Sequence, residues 1–423
     1  MRVLVDIKQS YSRILSLCIG NLLEHYDTAL FGFLSCVLAP VIFPEKEPLS
    51  ALILTYAIIP VAMLARPVGS LLFGFIGDYY GRATALSLSL IGMGLVSLLM
   101  AIGPSFIAFG LSASLFWCLT RALQNFLAAG ETCGGAIFLL ESSQNKEHDI
   151  LSSLYSASTI GGILLASIAT TLLSTLNQIE TGWGYLYLFG SITALFGYLI
   201  RRRIKTDQIP DSDVSPSDKK KLGIGVLWLY RRPLLSIAVC SGFSYANYTI
   251  ALIVLSGFIP LVSDQSQQLM IPVNTALLVI DLLLLPLFGY LASKISRYRL
   301  MLVASLSACI TCAPLFFLLQ GASFGMILLI RIFFVVIGAA FAAPMHALLQ
   351  TWIPKVHRYS VISFGYAIGS QLLGGPCATL TLWLFKITGS YFGMALYWMI
   401  LATATSVVLL RASMKDHQKV LSF

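Results

Sequence analysis

Charge is the scarce ingredient of this sequence. Only 11% of its 423 residues are Asp, Glu, Lys or Arg, against about 25% in a typical soluble domain. A soluble protein of this length needs a polar coat, and 57% hydrophobic content leaves too little to make one. The chemistry of the common enzyme classes is also missing. The sequence contains no metal-ligand spacing, no Gly-Lys-Thr phosphate loop and no nucleophile elbow, and its polar loops are too short to build a catalytic domain. An enzyme is therefore not expected. The eight cysteines lie mostly within apolar runs and imply no disulfide framework. Cys309 and Cys312 have CxxC spacing but fall inside a predicted membrane helix, where they read as packing residues. A cleavable signal peptide is lacking too: the apolar run after Arg13 is too long and carries acids, so the first helix is expected to stay in the mature protein.

What is present is a series of apolar runs of about 20 residues, each long enough to cross a hydrocarbon core of ~30 Å as a helix. Twelve such spans are predicted, at about 14–40, 50–76, 84–103, 105–140, 151–176, 183–201, 233–262, 272–292, 299–319, 323–350, 360–386 and 389–411. The net charge of +9 gathers in short patches between alternate spans, the pattern of basic residues retained on the cytoplasmic side. Arg2, Lys8 and Arg13 at one end and Arg411, Lys415 and Lys419 at the other place both termini in the cytoplasm, whereas the outer loops carry little beyond Lys46 and Lys386. The basic excess is thus read as topology, and no nucleic-acid partner is expected. The chain reads as an all-α integral membrane protein in contact with lipid.

One long polar interruption, "RRRIKTDQIPDSDVSPSDKKK" (201–221), divides the spans six and six. Its Pro, Ser and Asp content suits a solvated connection. The two sides of it resemble each other. "GFIGDYYGR" (74–82) ends the second span and "GYLASKISR" (289–297) ends the eighth, with Asp78 over Ser293, Gly81 over Ser296 and Arg82 over Arg297. Arg121 in the fourth span matches Arg331 in the tenth. The expected organisation is a six-helix bundle at 1–201, a cytoplasmic linker at 202–232 and a second, pseudo-symmetric six-helix bundle at 233–423. Duplicated bundles with a solute site at membrane mid-depth describe a secondary transporter.

Ionisable residues at bilayer depth are the candidate functional groups, because each costs about 2.5–3.5 kcal/mol to insert. "IGNLLEHYDTALFGF" (19–33) concentrates them: Glu24 and Asp27 share a helix face with Asn21 and Thr28, and His25 lies between. Arg66, Arg121 and Arg331 are the cations available at that depth, and Glu131 and Asp281 are further acids. Glu24, Asp27, Glu131 and Asp281 are the candidate proton-coupling groups. Asn21, Glu24, Tyr26, Arg66, Arg121 and Arg331 are the candidate solute contacts, since a guanidinium grips a carboxylate with two parallel hydrogen bonds. Rings at Tyr26, Phe31, Tyr56 and Phe126 can face an ammonium group.

"GDYYGR" (77–82) resembles the signature loop of the major facilitator superfamily, and "RALQNFLAAGE" (121–131) resembles that superfamily's fourth-helix arginine motif. More narrowly, "GNLLEHYD" (20–27), "LARPVGSLLFG" (64–74), Gly130–Glu131 and "HRYS" (357–360) resemble the metabolite:proton symporter family, which includes carriers of proline and betaine, 2-oxoglutarate, citrate and shikimate. The sequence departs from the family pattern at His25, Tyr79, Ala83, Asn125 and Ala129, and the second-half loop has lost its acid at Ser293. The resemblance implies the major facilitator fold and a gate built on Asp78, Gly81 and Arg82, which Glu141 and Arg358 are placed to join. It also implies proton symport of a small carboxylate or zwitterionic metabolite by alternating access, driven by the proton gradient with no cofactor or metal. A monomer in a prokaryotic inner membrane is expected. A multidrug:proton antiporter and a non-transporting membrane sensor are the alternative readings.

Overall fold

A computed structural model describes residues 2–43, 58, 62–143, 147–203, 224–262 and 267–421. Tyr56, Lys46 and most of the predicted linker lie outside the described residues, as do the side chains of Lys415 and Lys419. Twelve helical segments carry the fold. In the first half these are α1 (Arg2–Phe33), α2 (Ala65–Tyr79), α3 (Arg82–Ala101), α4 (Leu111–Glu141), α5 (His148–Thr175) and α6 (Ile179–Arg203). In the second half they are α7 (Arg231–Tyr248), α8 (Gln267–Ile295), α9 (Arg297–Phe317), α10 (Phe324–Ala342), α11 (Arg358–Ile368) and α12 (Tyr391–Leu421).

Several segments continue past a break, and the breaks have local causes. α1 is interrupted at Leu34 and resumes as Ser35–Ile42. α10 stops before Pro344, which has no N–H to give the ladder, and resumes as Met345–Thr351. α7 and α11 each pass through a π-helical turn, at Thr249–Val254 and Gly369–Gly374, before going on as Leu255–Val262 and Cys377–Thr388. A π turn widens the backbone spiral and redirects carbonyls, and such turns recur at functional positions.

The described residues form two compact units. The first contains Met1–Ser143, Ser158–Leu229 and Pro354–Phe364; the second contains Gln144–Ala157, Tyr230–Ile353 and Gly365–Phe423. Their internal packing follows one scheme. In the first unit α3 packs on α6 and α4, α2 on α4, and α1 on α4 and α6. Adding six to each number gives the second: α9 on α12 and α10, α8 on α10, and α7 on α10 and α12. This repetition is the structural form of the sequence duplication between "GFIGDYYGR" and "GYLASKISR".

Polarity is arranged inside out. On α4, Leu119 and Leu123 are 60% and 44% exposed, while Arg121 is 5% exposed and Gln124 wholly buried. A surface of exposed leucines over a buried charge suits hydrocarbon outside and a polar path within. Seven of the described helices, α3, α5, α7 to α10 and α12 with their continuations, are long and apolar enough to cross a membrane on composition alone. α1 and α4, which carry the buried charges of the first unit, are not among those seven.

Candidate functional site

The acids of α1 are held by different neighbours. Glu24 is fully buried and accepts from Arg66 Nη2 of α2 at 3.0 Å. Its other oxygen lies 3.2 Å from Thr132 Oγ1 of α4, a hydroxyl that is also 3.0 Å from the Ala128 carbonyl. Asp27, one turn on, instead accepts from Ser97 Oγ of α3 at 2.5 Å, and Gly190 of α6 leaves it room by having no side chain. Its second oxygen, Oδ1, is buried without a hydrogen-bond partner, and Asp27 makes no ion pair among the described residues. Both face α1's neighbours as the three-residue spacing predicts, but they are not a shared carboxyl pair. His25 Nδ1 lies 2.9 Å from the Asn21 carbonyl and 3.2 Å from Glu24 Oε2, and Asn21 donates to Ser158 and Thr159 on α5 at 2.8 Å each. Tyr26 is fully buried, donates its hydroxyl to the Leu186 carbonyl and meets Phe189 edge-on.

The two membrane-depth arginines of the repeat do parallel work with different surroundings. Arg121 donates to Gln124 Oε1 at 2.5 Å and to the Thr28 carbonyl of α1 at 3.0 Å, and its guanidinium sits 4.8 Å from the Phe31 ring centroid. Phe31 thereby spends one ring face on a protein cation. Arg331 is fully buried and donates through Nε and Nη2 to the Ala251 carbonyl, at 3.4 and 3.1 Å. It also donates to Asn274 Oδ1, and Nη1 lies 3.6 Å from Met270 Sδ. Asn274 is oriented in turn by donating to Ser256 Oγ at 2.8 Å. Each arginine thus grips a carbonyl of the first helix of its own unit and a side-chain amide. The Ala251 carbonyl belongs to the π turn, which aims it at the guanidinium. The contrast is in the acids: Glu24 and Asp27 lie on the helix Arg121 grips, whereas no carboxylate pairs with Arg331 among the described residues.

Two further acids lie at depth. Glu131 is fully buried on α4, next to Thr132. Asp281 is half-buried on α8, with no hydrogen bond or ion pair among the described residues. Phe126 packs its ring against Phe73 at 6.0 Å.

At the α2–α3 turn the loop residues converge with the start of α11. Gly81 adopts φ +100°, a conformation that a side chain disfavours, and so permits the sharp reversal. Asp78 accepts from Arg82 Nη1 at 2.8 Å. It also takes the backbone N–H groups of Tyr359 and Ser360 at 3.2 and 2.9 Å, and the Ser360 hydroxyl at 2.6 Å. Those N–H groups open α11 and have no partner within it, so Asp78 caps a helix from outside. Arg82 donates further to Glu141 at 3.2 Å and to the Lys355 carbonyl at 2.7 Å, and Arg358 reaches Glu141 at 3.0 Å. Two acids and two arginines form a chain of ion pairs, Asp78–Arg82–Glu141–Arg358, and the Tyr359 hydroxyl donates to the Gly130 carbonyl at 2.6 Å behind it.

Sequence reasoning missed the neutral partners Ser97, Thr132, Gln124 and Asn274. Each is a hydroxyl or amide inside an apolar run, a faint signal that becomes informative only once its facing charge is known. It also missed Ser360 as an Asp78 ligand, although "HRYS" had been singled out.

Comparison with known proteins sets these geometries beside those of membrane transporters. A family model described as "Sugar (and other) transporter" matches residues 14–202. A protein of Staphylococcus aureus (strain MSSA476) named "Putative proline/betaine transporter" is 28% identical over 421 residues, covering 96% of this chain and 88% of its own. The proline/betaine transporter of Salmonella typhimurium (strain LT2) is 25% identical over 416 residues, covering 94% and 82%. Among solved structures, a proton:xylose symporter of the major facilitator superfamily aligns with a TM-score of 0.77 at 16% identity, covering 96% of both chains. A bacterial homologue of the iron transporter ferroportin aligns at 0.69 and 14% identity, covering 95% and 99%. Cargoes as unlike as a sugar and iron on one backbone show that the likeness carries the fold and leaves the cargo open. The inside-out polarity, the repeated six-helix packing and the solved structures agree, and the chain has the fold seen in these membrane transporters, the major facilitator fold.

Proposed function

We propose that this protein is a proton-coupled secondary transporter of a small carboxylate or zwitterionic metabolite, of the proline and betaine kind named for its relatives, working by alternating access. The observation that carries this reading is Arg331: a fully buried guanidinium with oriented neutral partners and no carboxylate paired to it among the described residues. A carboxylate on the cargo supplies the missing counter-charge with two parallel hydrogen bonds. Asp27, buried with one oxygen unpartnered, is the proton site of this scheme, and Glu24 with Arg66 is the charge pair that proton and cargo rearrange. Glu131 and Asp281 are secondary proton sites. Asn21, Tyr26 and Arg121 shape the solute path on the α1 side, and Asp78, Gly81, Arg82, Glu141 and Arg358 form the gate. The protein acts as a monomer in a cell inner membrane, with both termini cytoplasmic and no cofactor, the proton gradient being the driving force.

The test is uptake of radiolabelled proline, glycine betaine, 2-oxoglutarate and citrate into proteoliposomes, with and without an inward proton gradient. Gradient-driven uptake of a carboxylate-bearing solute, abolished by Arg331→Gln and uncoupled from the gradient by Asp27→Asn, is the expected result. Uptake that survives Arg331→Gln overturns the assignment of the carboxylate to that residue. Absence of uptake for all four overturns the cargo class.

A further inference from the structure

The turn between α8 and α9 repeats the α2–α3 turn but has serine where its model has acid. Arg297 stands where Arg82 stands, and Ser293 replaces Asp78. A basic side chain without the acid that ordinarily precedes it by four residues needs another partner. The structure supplies one from far along the chain: Arg297 Nε lies 3.0 Å from Asp149 Oδ1 and Nη2 lies 3.2 Å from Asp149 Oδ2. The third nitrogen, Nη1, donates to the Ala347 carbonyl at 3.1 Å. The Nη2 contact is a charge-assisted hydrogen bond, while Nε meets Oδ1 as an ion pair without hydrogen-bond geometry, so Oδ1 is buried without a hydrogen-bond partner. The pair is largely withdrawn from solvent, with Asp149 9% and Arg297 21% exposed in their side chains.

Asp149 belongs to the first turn of α5, where a negative charge is favoured by the helix dipole. It begins a stripe at helical spacing with Ser152, Ser153 and Ser156, and this stretch packs as part of the second unit. Ser152 donates to the Ala343 carbonyl at 2.7 Å and Ser156 to the Ala342 carbonyl at 3.3 Å, two carbonyls at the break before Pro344. Ser153 packs so tightly on Gly289 of α8 that no side chain fits at that glycine. The first unit has the same contact in its own form, with Gly74 of α2 closed against Ser360 of α11. In the first unit, however, the acid sits on the loop and reaches out to the arriving helix. In the second, the acid sits on the arriving helix and reaches back to the loop arginine. A polar cavity of about 520 Å³ lies beside the pair, lined also by Ser293, Ser296 and Thr351.

We infer that Asp149 is the relocated acid of the second unit's latch: it replaces the carboxylate lost at position 293 and holds the start of α5 on Arg297 in one transport conformation, releasing it in the other. This rests on the alternating-access reading, but the test does not require uptake. Ser152 is fully buried under the latch, so an introduced thiol there reports when α5 lifts away. The full chain carrying Ser152→Cys is reconstituted in lipid nanodiscs, and labelling by a maleimide is followed against the parent with its native cysteines. Asp149→Asn and Arg297→Gln are each expected to accelerate labelling by about tenfold, within the range of coupling between close charge pairs. The charge-swapped pair Asp149→Arg with Arg297→Asp is expected to return it to within about threefold of the starting rate, an outcome that general loosening of the fold cannot produce. Unchanged labelling in both single variants, or acceleration that the swapped pair does not reverse, overturns the inference. Failure of every solute to be taken up, with the labelling pattern intact, counts against the proposed cargo and leaves the latch standing.

Discussion

The two units solve the same two problems with different chemistry. In the first, Arg121 grips a helix that also carries Glu24 and Asp27, and Asp78 caps α11 while pairing with Arg82 in a chain of four charges. In the second, Arg331 grips the Ala251 carbonyl with no carboxylate paired to it among the described residues, and Arg297 takes its acid from α5. Pseudo-symmetric packing has therefore been kept while the charges have diverged. Helix packing depends on small residues and shape along many positions, whereas a charge network depends on a few side chains and can be rewired by one substitution. In the first unit two acids lie on the helix that Arg121 grips; in the second, no carboxylate pairs with Arg331 among the described residues.

That contrast can be broken by experiment. The largest effect is expected at Asp78: Asp78→Asn leaves Arg82 with Glu141 alone as counter-charge and replaces one of the two acceptor oxygens that serve α11 with a donor, and loss of one partner from a buried ion pair costs about 3–5 kcal/mol. Thermal unfolding in detergent should show a large drop, and transport should fall by more than a hundredfold. Next come the arginines. Arg331→Lys keeps the charge but loses the planar fork, and should raise the apparent KM for a carboxylate solute by about tenfold, the worth of one good charge-assisted bond. Arg121→Lys, whose partners are a carbonyl and an amide, should lower stability more than it changes KM. Equal KM effects would erase the distinction between the two units. For the Glu24–Arg66 pair, Glu24→Gln alone should destabilise by about 1–3 kcal/mol, and adding Arg66→Gln should recover part of that loss, because the stranded charge is then gone.

The smallest effect concerns the two turns themselves. Ser296 holds φ +147° where its counterpart Gly81 holds +100°. An uncommon positive φ at a non-glycine residue stores about 1–3 kcal/mol. Ser296→Gly should therefore raise the unfolding midpoint and Gly81→Ser lower it; nothing lies within contact of a Cβ at Gly81, so backbone strain alone decides the sign. A midpoint unmoved by either exchange would remove the strain argument.

Much of this was legible beforehand, for reasons that differ by residue. Hydropathy and the basic patches marked the helices, because a bilayer tolerates few charges at depth. The repeat marked Arg121 with Arg331 and Arg82 with Arg297. Asp78, Glu141 and Arg358 were singled out from the signature loop and its neighbours, and they do come together. Two things were hidden. Glu24 and Asp27 read as one acidic face, yet they turn to α2 and α4 in one case and α3 and α6 in the other, since residues three apart on a helix differ by about 60° in direction. Asp149 is not singled out by the sequence at all, because nothing local links it to Arg297, 148 residues away.

The sequence by itself determined that this chain lives in a membrane, that it is two related sets of six helices, and which ionisable side chains the bilayer is made to accept. Those follow from composition, periodicity and self-similarity, which are properties of the chain read in order. Only the tertiary structure decided which acid serves which arginine, that none pairs with Arg331 among the described residues, and that the second unit draws its acid from α5. Pairings of that kind depend on the rotation of each helix about its axis and on contacts between residues more than a hundred positions apart, and neither quantity is written in any local stretch of the chain.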